Sequence, residues 1–407
     1  MKRVPSDGVS VALLTGGGDR PYAFGLATAL IAQGAGFDFI GSDELDFPEL
    51  HGIDGISFLN LRGNQRPDVG LLEKIGRIAA YYGRLLRYAA TAPQPLFHIL
   101  WNNKFEYFDR TLLMLYYRAL NKKIVLTVHN VNTQLRDGRD SRLNRWTLRR
   151  QYQSADHIFV HTEAMRQELL DEYGVYSRQV TVIPFGINNS VPNTSLKPSE
   201  ARQKLGLGSD EKVILFYGNV TPYKGLEYLV SAFRRVRERR PGYRLIIAGR
   251  PKGCAEYWAG IREKLQEDVQ SGRALIREEF IPDEETEVYF KAADVFVLPY
   301  RHIYQSGVLF LGYSFGLPVI AANVGSIRDE VVETKTGFMF QAEDSKDLAD
   351  AIERYFGSDL YANLDVRRQE IIDYALQQHS WDTVGRATMN VYATLLNGSS
   401  SEETVNP

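Results

Sequence analysis

Cysteine is almost absent: Cys254 is the only one in 407 residues. A single thiol makes no internal disulfide and supplies no Cys-rich zinc site, so the chain is expected in a reducing compartment, the cytoplasm. No spacing of His, Cys and carboxylates matches a zinc motif. Long hydrophobic runs are missing as well. Lys2 and Arg3 precede the apolar run VSVALL at 9–14, but three glycines follow at once. That is too early for a signal peptide or a membrane span, and the run reads as a first strand. No repeat of solenoid length is present, nor any nucleic-acid-binding motif. What remains, 44% hydrophobic and 24% charged, is a globular composition that excludes disorder, collagen and coiled coil, with length for two or three domains.

Net charge is small, −2, but unevenly spread. Residues 73–150 hold 15 Lys and Arg against five Asp and Glu, an excess of +10 that leaves −12 for the rest. Such a field suits an anionic partner or a plain solvated face. Within it, Leu71, Ile75, Ile78, Tyr82, Leu85 and Ala89 share one helical face, and Lys74, Arg77, Tyr81, Arg84 and Tyr88 another. The basic and aromatic stripe is a candidate contact for an anionic leaflet, which would bring the first domain to a lipid-linked acceptor. Arg139, Arg142, Arg145 and Arg149 form a second cationic row that suits a phosphorylated acceptor. Nothing reads bases, so nucleic acid is not expected as a partner.

Short apolar runs alternate with helical patterns along the whole chain. Runs at 9–14, 37–41, 56–61, 96–101, 124–129, 157–162 and 180–185 form a first series. After an Asn-, Ser- and Pro-rich stretch at 186–199, runs at 213–218, 244–249, 274–280, 295–300, 318–323 and 337–340 form a second. Stretches such as 71–90, 105–120 and 163–173 carry apolar residues at i, i+3, i+4. This βαβ rhythm predicts two doubly wound parallel-sheet units, with the boundary near 190 and the polar tail from about Ser399 frayed. Ligands of such sheets sit beyond the carboxyl ends of strands, where glycine turns admit the backbone and helix amino termini attract anions. Gly16, Gly17, Gly18, Gly218, Gly249 and Gly307 occupy those positions, and two such sets predict a cleft holding a phosphate-bearing ligand.

Two segments carry candidate chemistry. In ILFYGNVTPYKGLEYLVSAF, 214–233, Lys224 stands at a helix entrance, where an ammonium and the helix dipole can neutralise a diphosphate. In VFVLPYRHIYQSGVLFLGYSFGLPVIAANVGSIRDEV, 295–331, the backbone N–H groups of Ser306, Gly307 and Val308 open a helix and suit phosphate oxygens. Gly325 and Ser326 form a further strand-to-helix turn. His129 stands at a strand end, whereas His98 and His161 read as structural.

In this order, Gly218 to Gly225, AG at 248–249, FIPDEETEVYFKAADVFVLPY at 280–300, FGLPVIAANVG at 315–325 and TGFMF at 336–340 resemble the retaining glycosyltransferases of family 4, which have the GT-B architecture. The first half agrees through Gly17 and Gly18 before LATAL, TVHN at 127–130, and HTEAMRQEL leading to VIPFGIN. The resemblance implies an acceptor-side Rossmann-like domain over 1–190, a nucleotide-sugar-binding one over 191–378, and a terminal helix over 379–398 that returns to the first. It further implies transfer of a sugar from a nucleotide diphosphate donor to a glycan, lipid-linked or small-molecule acceptor, with retention and without a bound metal or other cofactor. Carried over residue by residue, Lys224 holds the diphosphate and the amides of Ser306, Gly307 and Val308 the distal phosphate. The backbone at Ile281 holds the base, Tyr300 and Gly218 border the donor, and His129 contacts the transferred sugar. Gly17 and Gly18 admit the pyrophosphate.

Three positions depart from the family pattern. Ile303 and Leu311 stand where two glutamates eight residues apart are frequent, so Gln305, His302 or Tyr304 are the candidates for hydroxyl contacts. Asn219 replaces an arginine, for which Arg250 in the turn after Gly249 is the candidate substitute. These departures keep open a non-catalytic partner subunit of the same fold, and a sugar-nucleotide epimerase shares the architecture. A nicotinamide-dependent dehydrogenase would use the glycines at 16–18 and Asp38, but Gly16, Gly18 and Pro21 miss the third glycine of that fingerprint.

Overall fold

Among the described residues thirteen apolar runs become thirteen strands, most of them ending where a glycine, a proline or a polar residue follows. The computed structural model describes residues 9–397 apart from Gly18, Pro67, Asp68, Asp137 and Pro241. Gly18, and the tail from Ser399, therefore lie outside the described residues. The first sheet contains β1 (Ser10–Leu14), β2 (Gly36–Gly41), β3 (Ile56–Asn60), β4 (Leu96–Ile99), β5 (Lys123–Thr127), β6 (His157–Val160) and β7 (Val180–Val182). Their order is β3-β2-β1-β4-β5-β6-β7, every pair parallel. The second contains β8 (Lys212–Tyr217), β9 (Tyr243–Ala248), β10 (Ala274–Arg277), β11 (Val295–Leu298), β12 (Val319–Ala322) and β13 (Gly337–Phe340), in the order β10-β9-β8-β11-β12-β13, again parallel. Several runs extend further than their strands, as those at 96–101, 124–129, 157–162 and 180–185 outlast β4, β5, β6 and β7. Glu278–Phe280 lie beyond β10, and Pro299 and Tyr300 lie in the loop after β11.

The chain divides into two units, residues 1–186 with 380–407, and residues 187–379. A backbone bond from Ile187 N–H to His379 C=O (3.0 Å) ties the ends of the second unit together. In the first unit, the Trp381–Asn397 helix packs on the Arg20–Ala32 helix. Its Trp381 indole occupies the space where Gly25 and Gly186 lack a side chain, and a Cβ at either would meet it at 2.1 or 2.2 Å. At its far end the Tyr392 hydroxyl bonds His98 Nδ1 (2.5 Å), whose Nε2 is satisfied by Thr127 Oγ1 (2.8 Å). His98 is thus a core residue, held neutral with its pKa pushed down to about 3 by burial.

The Leu71–Thr91 helix differs from its pattern. Leu71, Leu72 and Ile75 are 74%, 86% and 54% exposed, and burial begins only at Tyr81. Tyr81 and Tyr88, expected on the basic outer stripe, turn inward instead. Tyr81 donates to Asn103 Oδ1 (2.5 Å) and Tyr88 to Asp38 (2.8 Å). A helical wheel assigns a residue to a face but does not say which turns have a neighbour. Here the first two turns run past the elements that cover the rest. Among the described residues no helix is long and apolar enough to cross a membrane.

Candidate functional site

Both sheets reverse their winding at one point, between β1 and β4 in the first and between β8 and β11 in the second. Strand carboxyl ends diverge there and leave room for a ligand. The candidate residues cluster at these two places, and each is described within its own unit.

In the first unit the Gly16–Gly17 turn after β1 lies against the chain leaving β4. Gly16 has φ +60°, and a Cβ on it would stand 2.0 Å from the Trp101 carbonyl oxygen, so no other residue fits without backbone movement. His129 follows β5 in an aromatic cage, stacked on Trp101 (ring centroids 4.3 Å apart, planes 10°) and met edge-on by Tyr22 (4.5 Å). Burial and the neighbouring His161 hold its pKa well below the usual imidazole range.

The register of the sheet brings a second histidine to it. β5 and β6 pair Thr127 with Phe159, and two residues further on His161 Nε2 lies 3.0 Å from His129 Nδ1. His161 Nδ1 is bonded to the Ile183 carbonyl (3.3 Å). A carbonyl only accepts, so His161 carries its proton on Nδ1 and presents a bare Nε2. His129 must then donate from Nδ1, which leaves its Nε2 as a lone-pair acceptor. That atom is buried with no hydrogen-bond partner among the described residues. His161, read from sequence as structural, is therefore the residue that sets the tautomer of His129. Two histidines at the ends of successive runs were the available signal, but it needs the knowledge that β5 and β6 are neighbours. A cavity of about 170 Å³ adjoins this pair, lined by His129, Asn130, Trp101, Asn102, Arg110 and Gln151 among others.

In the second unit Lys224 ends a short 3-10 turn, Pro222–Lys224, and Gly225 takes φ +66° to start the Leu226–Arg239 helix. A Cβ at Gly225 would lie 2.0 Å from the Pro299 carbonyl oxygen, so glycine is needed for the β8 turn to seat against the loop after β11. The Lys224 side chain is buried to 8% exposure. Its ammonium lies 5.8 Å from the Tyr300 ring centre and 3.1 Å from where a Gly218 Cβ would stand. Tyr300, also buried, shares a hydrogen bond with the Ser306 hydroxyl (3.3 Å). Ser306 precedes the Gly307–Ser314 helix without capping it through its side chain. Ser306, Gly307 and Val308 stand at the start of this helix, where backbone N–H groups lack intrahelical acceptors.

Around these groups stand buried polar atoms with no hydrogen-bond partner among the described residues: both amide atoms of Gln305, the Thr221 hydroxyl and the Ser326 hydroxyl. Such groups are costly to bury unless something binds them, at about 1–3 kcal/mol each. Gly325 seats the Ser326 turn against this loop, because a Cβ there would meet the Ile303 carbonyl oxygen at 1.8 Å. Ile303 and Leu311 are buried and apolar, so they pack the loop and offer no hydrogen bond. Ile281 is buried beside the exposed Phe280, over whose ring the Arg250 guanidinium lies (5.9 Å). Asn219 is exposed, as are Arg250 and His302.

Two family models match the chain. One described as Glycosyltransferase Family 4 covers residues 16–191, and one described as Glycosyl transferases group 1 covers residues 211–358. A D-inositol 3-phosphate glycosyltransferase from Acidothermus cellulolyticus is 29% identical over 250 residues, 60% of this chain and 54% of the relative, so the chain spans about half the length of that protein. Among solved structures, a sucrose-phosphate synthase from Thermosynechococcus elongatus superposes with a TM-score of 0.74 at 20% identity, covering 96% of this chain and 99% of that one. HepE from Anabaena, in complex with UDP and glucose, gives 0.72 at 16% identity over 95% and 100%. At these identities the structural likeness establishes the fold.

Proposed function

The chain belongs to the family 4 glycosyltransferases of GT-B fold, and from that premise we propose that it transfers a sugar, with retention of anomeric configuration, from a nucleoside diphosphate sugar to a glycan, lipid-linked or small-molecule acceptor. The observation that carries the donor part is the second unit's set of buried, unpartnered polar groups at Gln305, Thr221 and Ser326 next to the buried Lys224. Phosphate oxygens can accept from Gln305 Nε2 and the two hydroxyls, and a sugar hydroxyl can donate to Gln305 Oε1.

In this reading the Lys224 ammonium meets the diphosphate, and the amides of Ser306, Gly307 and Val308 meet its distal phosphate. Both act most strongly as the leaving group gains charge. Arg250 takes the place of the cation missing at Asn219. The backbone at Ile281 receives the base, and Gln305 binds hydroxyls that a glutamate would otherwise hold. His129 accepts a sugar hydroxyl at Nε2, the lone pair that His161 keeps bare. The leaving phosphate takes the acceptor's proton, so the scheme calls on no carboxylate base and no metal.

The exposed Leu71, Leu72 and Ile75, on the same helix as Lys74 and Arg77, support contact of the first unit with an anionic leaflet. A thermal scan with UDP, and isothermal titration, test the donor reading. UDP is expected to raise the melting temperature, and Lys224→Ala to weaken UDP binding by on the order of 10- to 100-fold, the value of one charged hydrogen bond. Equal UDP affinity in wild type and variant would refute the role of Lys224.

A further inference from the structure

A second cavity in the first unit, of about 350 Å³, is lined by Arg62, Gln65, Arg66, Lys74, Arg77, Ile78, Tyr81 and Lys104. Five of these eight residues are cations, and none is a carboxylate. Within the described residues none of the five forms an ion pair. They are instead positioned by neutral groups. The Arg62 guanidinium lies over the Tyr81 ring (4.9 Å), and Arg77 donates to the carbonyls of Asn64 (3.2 Å) and Arg66 (3.0 Å) and to Asn64 Oδ1 (2.8 Å). Glu44 is the acid whose ionisation Arg62 favours, and it lies outside the cavity lining, bonded to the Gln65 amide (2.8 Å).

Five like charges around one concave space repel each other, and the fold uses a ring contact for Arg62 and neutral hydrogen bonds for Arg77 to hold them there. A multiply charged anion relieves that repulsion, and planar guanidinium groups match phosphate oxygens two at a time. We propose that this cavity receives a phosphate group of the acceptor. The proposal rests on the transfer reading above and adds the acceptor's chemical class to it. Its lining residues belong to the first unit, and the diphosphate contacts assigned to Lys224 and the residue 306–308 amides belong to the second. It reaches the glycine turn of its own unit, since a Cβ at Gly17 would overlap Arg62 Nη1. An acceptor anchored by its phosphate here would be held beside the turn at which the first sheet offers a ligand. The exposed Leu71 and Leu72, on the same helix as Lys74 and Arg77, suit a lipid-borne phosphate, and a free phosphorylated polyol offers the same group.

The test uses the full chain and two probes, inorganic pyrophosphate and vesicles of phosphatidylglycerol with phosphatidylcholine vesicles as reference. Arg66→Glu with Lys104→Glu reverses two exposed lining charges. Arg87→Glu with Lys264→Glu makes the same change in net charge at exposed positions outside the cavity lining. Calorimetry at low salt is expected to show pyrophosphate binding that falls at least tenfold in the first double variant and stays within about twofold in the second. UDP affinity is expected to be equal in all three proteins. Loss of phosphatidylglycerol flotation in the first variant only, with competition by pyrophosphate, supports the cavity and assigns the phosphate to a lipid. Pyrophosphate binding without such flotation supports it and assigns a free acceptor. Equal pyrophosphate affinity in wild type and the first variant, or none in wild type, overturns the proposal. Failure of UDP alone to bind would sink the donor reading and leave the cavity standing.

Discussion

Replacing His161 by Phe separates packing from hydrogen bonding in the histidine pair. The benzene ring fills the same space among Tyr22, Phe185 and His129, whose ring centroids lie 5.0–5.5 Å from that of His161. Both hydrogen bonds of His161, to His129 Nδ1 (3.0 Å) and to Ile183 O (3.3 Å), are lost. The orphaned groups are buried, so stability should fall by about 1–3 kcal/mol. The catalytic consequence is distinct. Without an acceptor at Nδ1, the His129 proton gains nothing by staying there, and a share of molecules carries it on Nε2. The atom that should accept a sugar hydroxyl then donates. If the native pair favours the correct tautomer by the worth of one hydrogen bond, about 1–1.5 kcal/mol, its loss shifts the tautomer ratio by about 10-fold and, by thinning the competent population, lowers kcat/KM by about 2-fold. His129→Ala should fall further, because it removes the acceptor outright. The assay is sugar transfer or donor hydrolysis followed by nucleotide release, with UDP affinity measured in parallel. Unchanged kcat/KM in a folded His161→Phe protein would refute the tautomer argument. A loss confined to stability would leave His161 as packing alone.

Acid should destabilise the first unit through its buried imidazoles. Burial lowers His157 and His161 to about 4 and His98 to about 3, against about 6.5 in an unfolded chain. Below pH 6.5 the unfolded state therefore holds more protons, and stability falls as pH drops from 6.5 towards about 4. Denaturant titrations at pH 7.5, 6 and 5 check this, and a rise in stability on acidification would contradict it. Trp381→Ala should remove about 2–3 kcal/mol from the first unit, because its indole fills the space left at Gly25 and Gly186. Calorimetry should show one transition lowered by roughly 5–10 °C with the other unmoved.

The strands, their number and their division into two series were legible in the sequence. A strand buried on both faces must be continuously apolar, and the turns between such strands need glycine or polar residues, so both leave local marks. The Lys224 turn and the amides at 306–308 were legible for the same reason, since a strand, a glycine and a helix start are neighbours in the chain. What sequence could not supply were facts about which elements lie side by side. The His129–His161 bond exists because β6 is next to β5. The inward turn of Tyr81 and Tyr88 and the bare first turns of the Leu71–Thr91 helix depend on what covers that helix. The five-cation cavity gathers residues from 62 to 104 across a loop and a helix. Local periodicity records the burial a residue needs, whereas partnership between distant residues is set only when the sheet chooses its order and its helices find their seats.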